Sequence, residues 1–239
     1  MVSLEELAGK YGADTLGQGY TSHYAKLLDG VRYDIKKVLE IGVETGKSHR
    51  MWLEYFPNAI IYGMDIFNED DRSGYVEEFH RLQKGNPHLD RSIMFEGDQS
   101  NVDDLQRFLS EYGADFDIII DDGGHTMEQM QTSLNYLWNS VKPDGFYVIE
   151  DLHSCSNQWS TLYGYKVIKD GDTLTTDLLY SLEVDDGIIT ETNYISAGMI
   201  DKIKSELDWC KTEIGVEDYV NPKGQKFLWP TLLCFMKKK

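Results

Sequence analysis

The stretch that decides the fold covers residues 38–65 and reads VLEIGVETGKSHRMWLEYFPNAIIYGMD. Residues 38–41 form a short apolar run typical of a buried strand, and a glycine-containing loop follows at 42–46. Residues 48–55 have the spacing of a helix, and residues 60–65 are again strand-like. The stretch therefore predicts a β-strand, a tight loop, an α-helix and a second β-strand.

The same alternation continues towards residue 149. Further strands are predicted at 93–96, 116–121 and 146–149, and helices at 75–83, 102–112 and 127–141. Strands that alternate with helices of this length indicate βαβ units and a parallel sheet covered on both faces. The sequence therefore predicts an α/β protein with a Rossmann-like, doubly wound sheet.

The two ends of the chain depart from this alternation. At the start, Ser3 and Glu6 have the spacing of a capping box, so we expect a short helix that ends near Gly12. A second helix is expected from Thr21 or Ser22 to about Leu28. These two helices form a predicted N-terminal helical cap.

The segment after residue 151 is less regular. Residues 154–165 are rich in serine and aromatic side chains, as an active-site lid or substrate loop often is. We then expect a hairpin built from 178–184 and 188–194, a helix near 199–210 and a final strand at 232–236.

The composition excludes several classes of protein. The 239 residues include 41 acidic and 23 basic side chains, and the net charge of −18 disfavours binding to nucleic acid or to a membrane surface. Three widely spaced cysteines argue against a disulfide scaffold, and neither a signal peptide nor an apolar span is evident. We therefore expect a cytoplasmic location.

Residues at the carboxyl ends of parallel strands form the ligand site of such a fold. The first end carries Gly42 and Gly46, whose backbone a ligand can approach closely, and Ser48 lies in the first turn of the following helix. Asp65 ends the second strand, where an acid commonly accepts hydrogen bonds from ribose hydroxyls. Asp98 follows the third strand and could meet an adenine amino group or, alternatively, cap the next helix.

Paired acids follow the fourth and fifth strands, at Asp121-Asp122 and Glu150-Asp151. If these strands are neighbours, up to four carboxylates converge at one edge of the sheet. A set of oxygen ligands selects Mg²⁺, Mn²⁺ or Ca²⁺, of which we favour Mg²⁺. The alternative is that the acids cap helices or face solvent.

His125 follows Asp122 by three residues, at the start of the next predicted helix. A neutral imidazole can accept a proton from a hydroxyl that a metal has made more acidic. His125 is therefore a candidate general base, and the alternative is that it only caps its loop.

These motifs resemble class I S-adenosylmethionine-dependent O-methyltransferases that use magnesium. Residues 38–48 look like the first cofactor motif of catechol O-methyltransferase. A closer resemblance, to the antibiotic deoxysugar O-methyltransferases of the mycinamicin and macrocin type, rests on Arg50-Met51-Trp52, Tyr62-Gly63-Met64-Asp65-Ile66, Gly97-Asp98-Gln99-Ser100, Asp121-Asp122-Gly123-Gly124-His125 and Glu150-Asp151. The cephalosporin-hydroxylase-like family shares much of this set.

The resemblance implies the seven-stranded class I methyltransferase fold and a role for each matching residue. It implies His125 as general base, and Asp122, Glu150 and Asp151 as metal ligands. The residues implied to hold S-adenosylmethionine are Glu40, Gly42, Gly46, Ser48, Asp65, Asp98 and Asp121, with Asp121 beside the sulfonium end.

The expected activity is methyl transfer to a sugar hydroxyl, on a deoxyhexose such as rhamnose in a glycoside or glycan. The alternatives are a phenolic or catechol acceptor, which the lid aromatics Trp159, Tyr163 and Tyr165 could stack on, and a non-catalytic S-adenosylmethionine-binding module. The sequence leaves open whether the chain works alone, as a homo-oligomer or within a larger glycan-synthesis protein.

We expect one methyltransferase domain over residues 1–239. In this division, residues 1–34 are a helical cap over the cofactor and 35–151 are the cofactor- and metal-binding core. Residues 152–239 form the acceptor-side lid and the closing strands.

Overall fold

The computed structural model of the chain describes residues 2–68, 74–155, 173–185, 188–220 and 226–239. At 155, 216–220 and 226–230 it describes the backbone alone. The helices are α1 (Leu4–Tyr11), α2 (Thr21–Leu28), α3 (Lys47–Tyr55), α4 (Tyr75–Gln83), α5 (Val102–Tyr112), α6 (Met127–Leu137), α7 (Thr175–Val184) and α8 (Ala197–Glu206). The strands are β1 (Lys37–Ile41), β2 (Ile60–Asp65), β3 (Ser92–Glu96), β4 (Phe116–Asp121), β5 (Val141–Ile149), β6 (Leu207–Val220) and β7 (Lys226–Lys238).

The strands form one seven-stranded sheet in the order β3-β2-β1-β4-β5-β7-β6. The first five are parallel, and β7 lies antiparallel between β5 and β6. The strand order reverses beside β1, whose neighbours are β2 and β4, and open α/β sheets bind ligands at such a crevice. The predicted doubly wound, mostly parallel sheet is confirmed.

Both faces of the sheet are buried, because successive side chains of a strand point to opposite faces. On β4, Ile118 and Ile120 pack on one face, and Ile119 packs on the other. The first face carries α1, α2 and α3, where the Trp52 ring stacks on Phe56 at a centroid distance of 5.7 Å. Helices α5, α6 and α7 contribute their buried residues to the other face.

The predicted N-terminal cap is confirmed. Ser3 Oγ accepts from the Glu6 amide at 3.1 Å, and Glu6 Oε2 accepts from the Ser3 amide at 2.8 Å, which completes a capping box. Helix α1 ends at Gly12, whose φ of 69° suits glycine. Helices α1 and α2 both pack in the core cluster that contains α3.

The hairpin predicted over 178–184 and 188–194 is wrong. Residues 175–184 form helix α7, which buries Leu178, Leu179 and Leu182, a helical spacing that packs one face into the core. Asp185 ends this helix with a φ of 52°. The position expected to begin the turn of the hairpin, after residue 184, is therefore the end of a helix.

Two boundaries near the C-terminus also differ from prediction. The helix expected near 199–210 ends at Glu206, and the chain enters the long strand β6 at once. The final strand expected at 232–236 extends over Lys226–Lys238. The predicted lid falls mostly outside the described residues, and so do Trp159, Tyr163 and Tyr165.

Cys210 and Cys234 are free thiols whose sulfur atoms lie 3.4 Å apart between β6 and β7. In the part of the chain that the structure describes, no helix is both long enough and apolar enough to span a bilayer.

Gly42 allows the backbone after β1 to pass directly against the backbone after β4. Its φ is 85°, and a Cβ atom built on it would lie 2.0 Å from the carbonyl oxygen of Asp122. No side chain fits at this position, so the loop after β1 and the loop after β4 fix each other's position through their backbones.

We predict that Gly42→Ala lowers the free energy of unfolding by about 2–4 kcal/mol, because it combines left-handed backbone strain with a steric clash. The matched control is Gly30→Ala, since a Cβ at Gly30 meets nothing within 4 Å. Urea unfolding measures both variants. Equal stability of the two would contradict the close approach of these loops.

Candidate active site

A cavity of about 410 Å³ lies beyond the carboxyl ends of the parallel strands. It is therefore at the position where open α/β sheets bind ligands. Its lining includes the predicted site residues Gly42, Ser48, Asp65, Asp98, Asp122, His125 and Asp151. The sequence prediction thus located most of the cavity wall.

The loop after β1 presents a helix N-terminus to this cavity. Gly46 is the N-cap of α3 with a φ of 77°, and Lys47 and Ser48 line the cavity from the first turn. Amide groups at a helix N-terminus and a lysine side chain both favour an anionic group such as a carboxylate. Gly46 itself packs on Phe79, where a Cβ would approach the ring to 3.0 Å.

Asp65 at the end of β2 is held by backbone amides. Its Oδ2 accepts from Val43 and Glu44 at 2.8 and 2.9 Å, and its Oδ1 accepts from Phe67 at 2.9 Å. The carboxylate therefore has a fixed orientation at the cavity wall, as a group that receives ligand hydroxyls requires.

Asp98 also lines the cavity, and it is not the cap of the following helix. Its Oδ1 accepts from the amide and hydroxyl of Ser100 at 2.8 and 2.7 Å. The N-cap of α5 is Asn101, whose side chain accepts from the amide of Asp103. The capping alternative for Asp98 is therefore wrong.

Asp121 does not line the cavity but lies fully buried beneath it. Its Oδ1 accepts from Gln99 Nε2 at 2.8 Å, and its Oδ2 accepts from the hydroxyls of Ser133 and Tyr147. Burial raises the pKa of Asp121, and the hydrogen bonds from Ser133 and Gln99 oppose that shift. Because Gln99 also accepts from the Gly124 amide at 2.7 Å, this network positions the loop after β4.

Glu40 is likewise buried and does not line the cavity. Its Oε2 lies 2.8 Å from Nδ1 of the buried His49, whose Nε2 lies 3.0 Å from Ser92 Oγ. The role implied for Glu40 and Asp121 in holding the cofactor stays a prediction, and neither side chain reaches the cavity in this structure.

Asp122, His125 and Asp151 come together at one side of the cavity. His125 Nε2 lies 3.9 Å from Asp122 Oδ1 and 3.9 Å from Asp151 Oδ2. One ligand atom from each of the three residues falls within a group no wider than 4.8 Å. Since Thr126 is the N-cap of α6, His125 does not cap that helix.

Glu150 lies just beneath this group and is almost completely buried. Its Oε1 accepts from the Tyr24 hydroxyl, whereas its Oε2 is buried without a hydrogen-bond partner. Burial, together with the charges of Asp151, Asp14 and Glu40, raises its pKa well above the usual range. Burial and the charge of Glu150 do the same to the pKa of Asp122.

A hard divalent cation fits this arrangement. A buried carboxylate oxygen with no partner needs a positive charge or a proton, and the surrounding donors are oxygen atoms and one imidazole nitrogen. Among the described residues, the donor atoms of Asp122, His125 and Asp151 lie close enough together to share such a cation, and Glu150 as a third carboxylate ligand stays a prediction.

The sequence predicts no contact between the acids and Gln18, Tyr20 or Tyr24, and Gln99 enters the prediction only as part of the motif at residues 97–100. The first three come from the N-terminal cap, more than a hundred residues from the acids they contact. No local spacing reports such a contact.

The fold and this site define the class of protein. Residues 39–152 match a family described as a methyltransferase domain. This segment runs from within β1 to the residue Leu152 beyond β5 and contains most of the cavity wall, so the similarity covers the part of the chain that forms the site.

Named relatives and solved structures narrow the comparison. The chain is 35% identical over 158 residues to mycinamicin VI 2''-O-methyltransferase of Micromonospora griseorubida and 32% identical over 157 residues to L-olivosyl-oleandolide 3-O-methyltransferase of Streptomyces antibioticus. Each match covers 62% of this chain but 36% of the relative. The chain thus spans little more than a third of the curated relatives it matches.

A solved structure of the MycE methyltransferase of mycinamycin biosynthesis, in complex with Mg, SAH and mycinamycin VI, is 27% identical. Its TM-score is 0.65, and the alignment covers 99% of this chain and 54% of that one. The class I methyltransferase fold implied by the sequence is confirmed.

We predict that Glu150→Gln makes the chelator-treated protein more stable. Folding without a cation must bury Glu150 either charged, with no donor on Oε2, or with a proton that it lacks in the unfolded chain at neutral pH, and the neutral amide avoids both costs. A gain of about 1 kcal/mol would raise Tm by about 2–4 °C. Saturating Mg²⁺ should stabilise the unmodified protein but not this variant. Thermal unfolding with Asp201→Asn, an exposed acid of α8, as control checks both points, and a less stable Glu150→Gln apoprotein would contradict them.

Proposed function

We propose that the chain is an S-adenosylmethionine-dependent O-methyltransferase that acts on a sugar hydroxyl. The observation that carries the proposal is the group formed by Asp122, His125 and Asp151, with His125 Nε2 at 3.9 Å from both carboxylates. In this group an imidazole and two carboxylates lie beside a cofactor-sized cavity at one sheet edge, which supports a general base and a metal site there. The acceptor class follows from relatives named for olivosyl and rhamnosyl substrates.

The cavity suits the cofactor in size and in the kinds of group on its wall. Its volume of about 410 Å³ falls within the range of about 300–1,000 Å³ typical of small-molecule sites. Asp65 would accept hydrogen bonds from the ribose, and the N-terminus of α3 with Ser48 would bind the methionine carboxylate. Asp98 would meet the adenine end.

Asp122, Glu150 and Asp151 would hold Mg²⁺ at the acceptor side of this cavity. When bound, Mg²⁺ lowers the pKa of an acceptor hydroxyl. The negative charge of the three carboxylates would also stabilise the cationic methyl-donor group of the cofactor nearby.

His125 accepts at Nε2 the proton that the acceptor hydroxyl loses on methylation. The carboxylates of Asp122 and Asp151 stabilise the resulting imidazolium, since each lies within 4 Å of that nitrogen. His125 has a φ of 56°, and its carbonyl oxygen accepts from Ser154 Oγ at 3.2 Å, which fixes the backbone that carries the ring.

The acceptor is proposed as a deoxyhexose such as rhamnose in a glycoside or glycan. A phenolic or catechol acceptor and a non-catalytic S-adenosylmethionine-binding module are the alternatives that the experiment must separate. We also propose a cytoplasmic location and a division of the chain into residues 1–34, 35–151 and 152–239. A role within a homo-oligomer or a larger glycan-synthesis protein is proposed as well.

The test is transfer of labelled methyl from S-adenosylmethionine to a panel of rhamnosides and catechols, with Mg²⁺ or chelator. Methylation of a rhamnoside that requires Mg²⁺ supports the proposal, and methylation of catechols alone would replace it with the phenolic alternative. Binding of S-adenosylhomocysteine by calorimetry without turnover on any acceptor would favour the binding module.

We predict that His125→Ala lowers kcat by about 10²–10⁴-fold, the usual contribution of a general base, with little change in S-adenosylhomocysteine affinity. His80→Ala, an exposed imidazole on α4, serves as the control and should retain full activity. If His125→Ala keeps its kcat while binding the cofactor normally, another group accepts the proton.

A further inference from the structure

Three side chains of the N-terminal cap donate hydrogen bonds to the strand-end acids. Gln18 Nε2 lies 3.1 Å from both carboxylate oxygens of Asp151, and the Tyr20 hydroxyl donates to Asp151 Oδ1 at 2.9 Å. The Tyr24 hydroxyl donates to Glu150 Oε1. Residues 18–24 therefore contact both acids that follow β5.

The two tyrosines can act only as neutral donors. Both side chains are completely buried, and a phenol keeps its proton at neutral pH because its ordinary pKa is about 10. A phenol that keeps its proton donates to a carboxylate and accepts little in return. The hydroxyls thus fix one oxygen of each acid.

The oxygen of each acid that no tyrosine contacts is the one available to a cation. Glu150 uses Oε1 for Tyr24, and its Oε2 is the buried atom without a partner. Asp151 uses Oδ1 for Tyr20, and its Oδ2 is the oxygen 3.9 Å from His125 Nε2. Each acid is therefore held at one oxygen by a tyrosine hydroxyl. Its second oxygen keeps a lone pair for a cation, because Glu150 Oε2 has no hydrogen-bond partner and Asp151 Oδ2 accepts from Gln18 alone.

The cap is itself held in place independently of the acids. The Thr231 hydroxyl donates to the Gln18 carbonyl oxygen at 2.8 Å. The Tyr24 ring packs edge-on against Trp52 and Phe235. These contacts give the donors a rigid base, which a group that orients a ligand needs.

We propose that Gln18, Tyr20 and Tyr24 are positioning residues of the metal site, which orient Glu150 and Asp151 so that Oε2 and Oδ2 face the cation. This inference rests on the proposed function, because it takes these acids as ligands. Outer-shell partners of this kind typically contribute 10–100-fold to metal affinity. The cap would then prepare the metal site as well as cover the cofactor.

Tyr24→Phe is the central variant, because it removes one hydroxyl from a completely buried ring and leaves the packing. Tyr55→Phe is its matched control, since Tyr55 is also completely buried and its hydroxyl donates to Asp29 at 2.8 Å, away from the acids. Mn²⁺ binding to the chelator-treated protein, without cofactor or acceptor, is measured by electron paramagnetic resonance of the free ion.

We expect Tyr24→Phe to raise the Kd for Mn²⁺ at least about 10-fold and Tyr55→Phe to leave it unchanged. Tyr20→Phe should have a smaller effect, because Gln18 still donates to Asp151. Combining it with Gln18→Leu should bring the loss to that of Tyr24→Phe. Thermal unfolding in chelator checks that each variant is folded.

The outcomes separate this inference from the proposed function. If the unmodified protein binds Mn²⁺ and Tyr24→Phe and the double variant bind it equally well, the positioning role is overturned and the metal site stands. If the unmodified protein binds no Mn²⁺ at millimolar concentration, both the metal assignment and the inference fail. A lower Tm for Tyr24→Phe with an unchanged Kd would show a structural role only.

Discussion

Repulsion among carboxylates at the ends of β4 and β5 is the constraint on which the site depends. The two strands are parallel neighbours, and Asp121 lies opposite Ile149, so the acids that follow each strand must meet. Two unit charges 4 Å apart interact by about 4 kcal/mol at an effective dielectric constant of 20. Such a cost is acceptable only where donors or a cation compensate it, and the chain provides donors for some of these oxygens but not for all.

The N-terminal cap becomes part of the site through this electrostatic requirement. Gly12 and Asp14 line the cavity, and Tyr20 and Tyr24 a few residues later contact the acids. One segment therefore joins the cofactor cavity to the metal-binding oxygens. Anything that alters the charge of Glu150 or Asp151 must also alter how firmly the cap is bound, since the same hydrogen bonds contribute to both.

The sheet and the position of the site could be predicted because both follow from local pattern. The alternation of strands and helices predicts that the strands are parallel, and parallel strands bring their carboxyl ends to one edge of the sheet. Side-chain partners brought from distant parts of the chain could not be predicted: nothing near Glu40 indicates that His49 is its partner, and nothing near Glu150 indicates Tyr24. The hairpin predicted over residues 178–194 is wrong for another reason. A turn signal is local, whereas the burial of Leu179 and Leu182 depends on how the helix packs against the core.

The acids at the ends of β4 and β5 differ in what compensates their charge, and this difference supports the place proposed for the cation. Asp121 has donors on both oxygens, from Gln99 on Oδ1 and from Ser133 and Tyr147 on Oδ2, so its charge is satisfied inside the protein. Glu150 is equally buried but has one donor on Oε1 and none on Oε2. A buried carboxylate whose oxygens both accept hydrogen bonds needs no ion. One with a donor on a single oxygen needs a cation or a proton. The proposed cation would therefore compensate Glu150, whereas Asp121 positions the loop of His125 through Gln99.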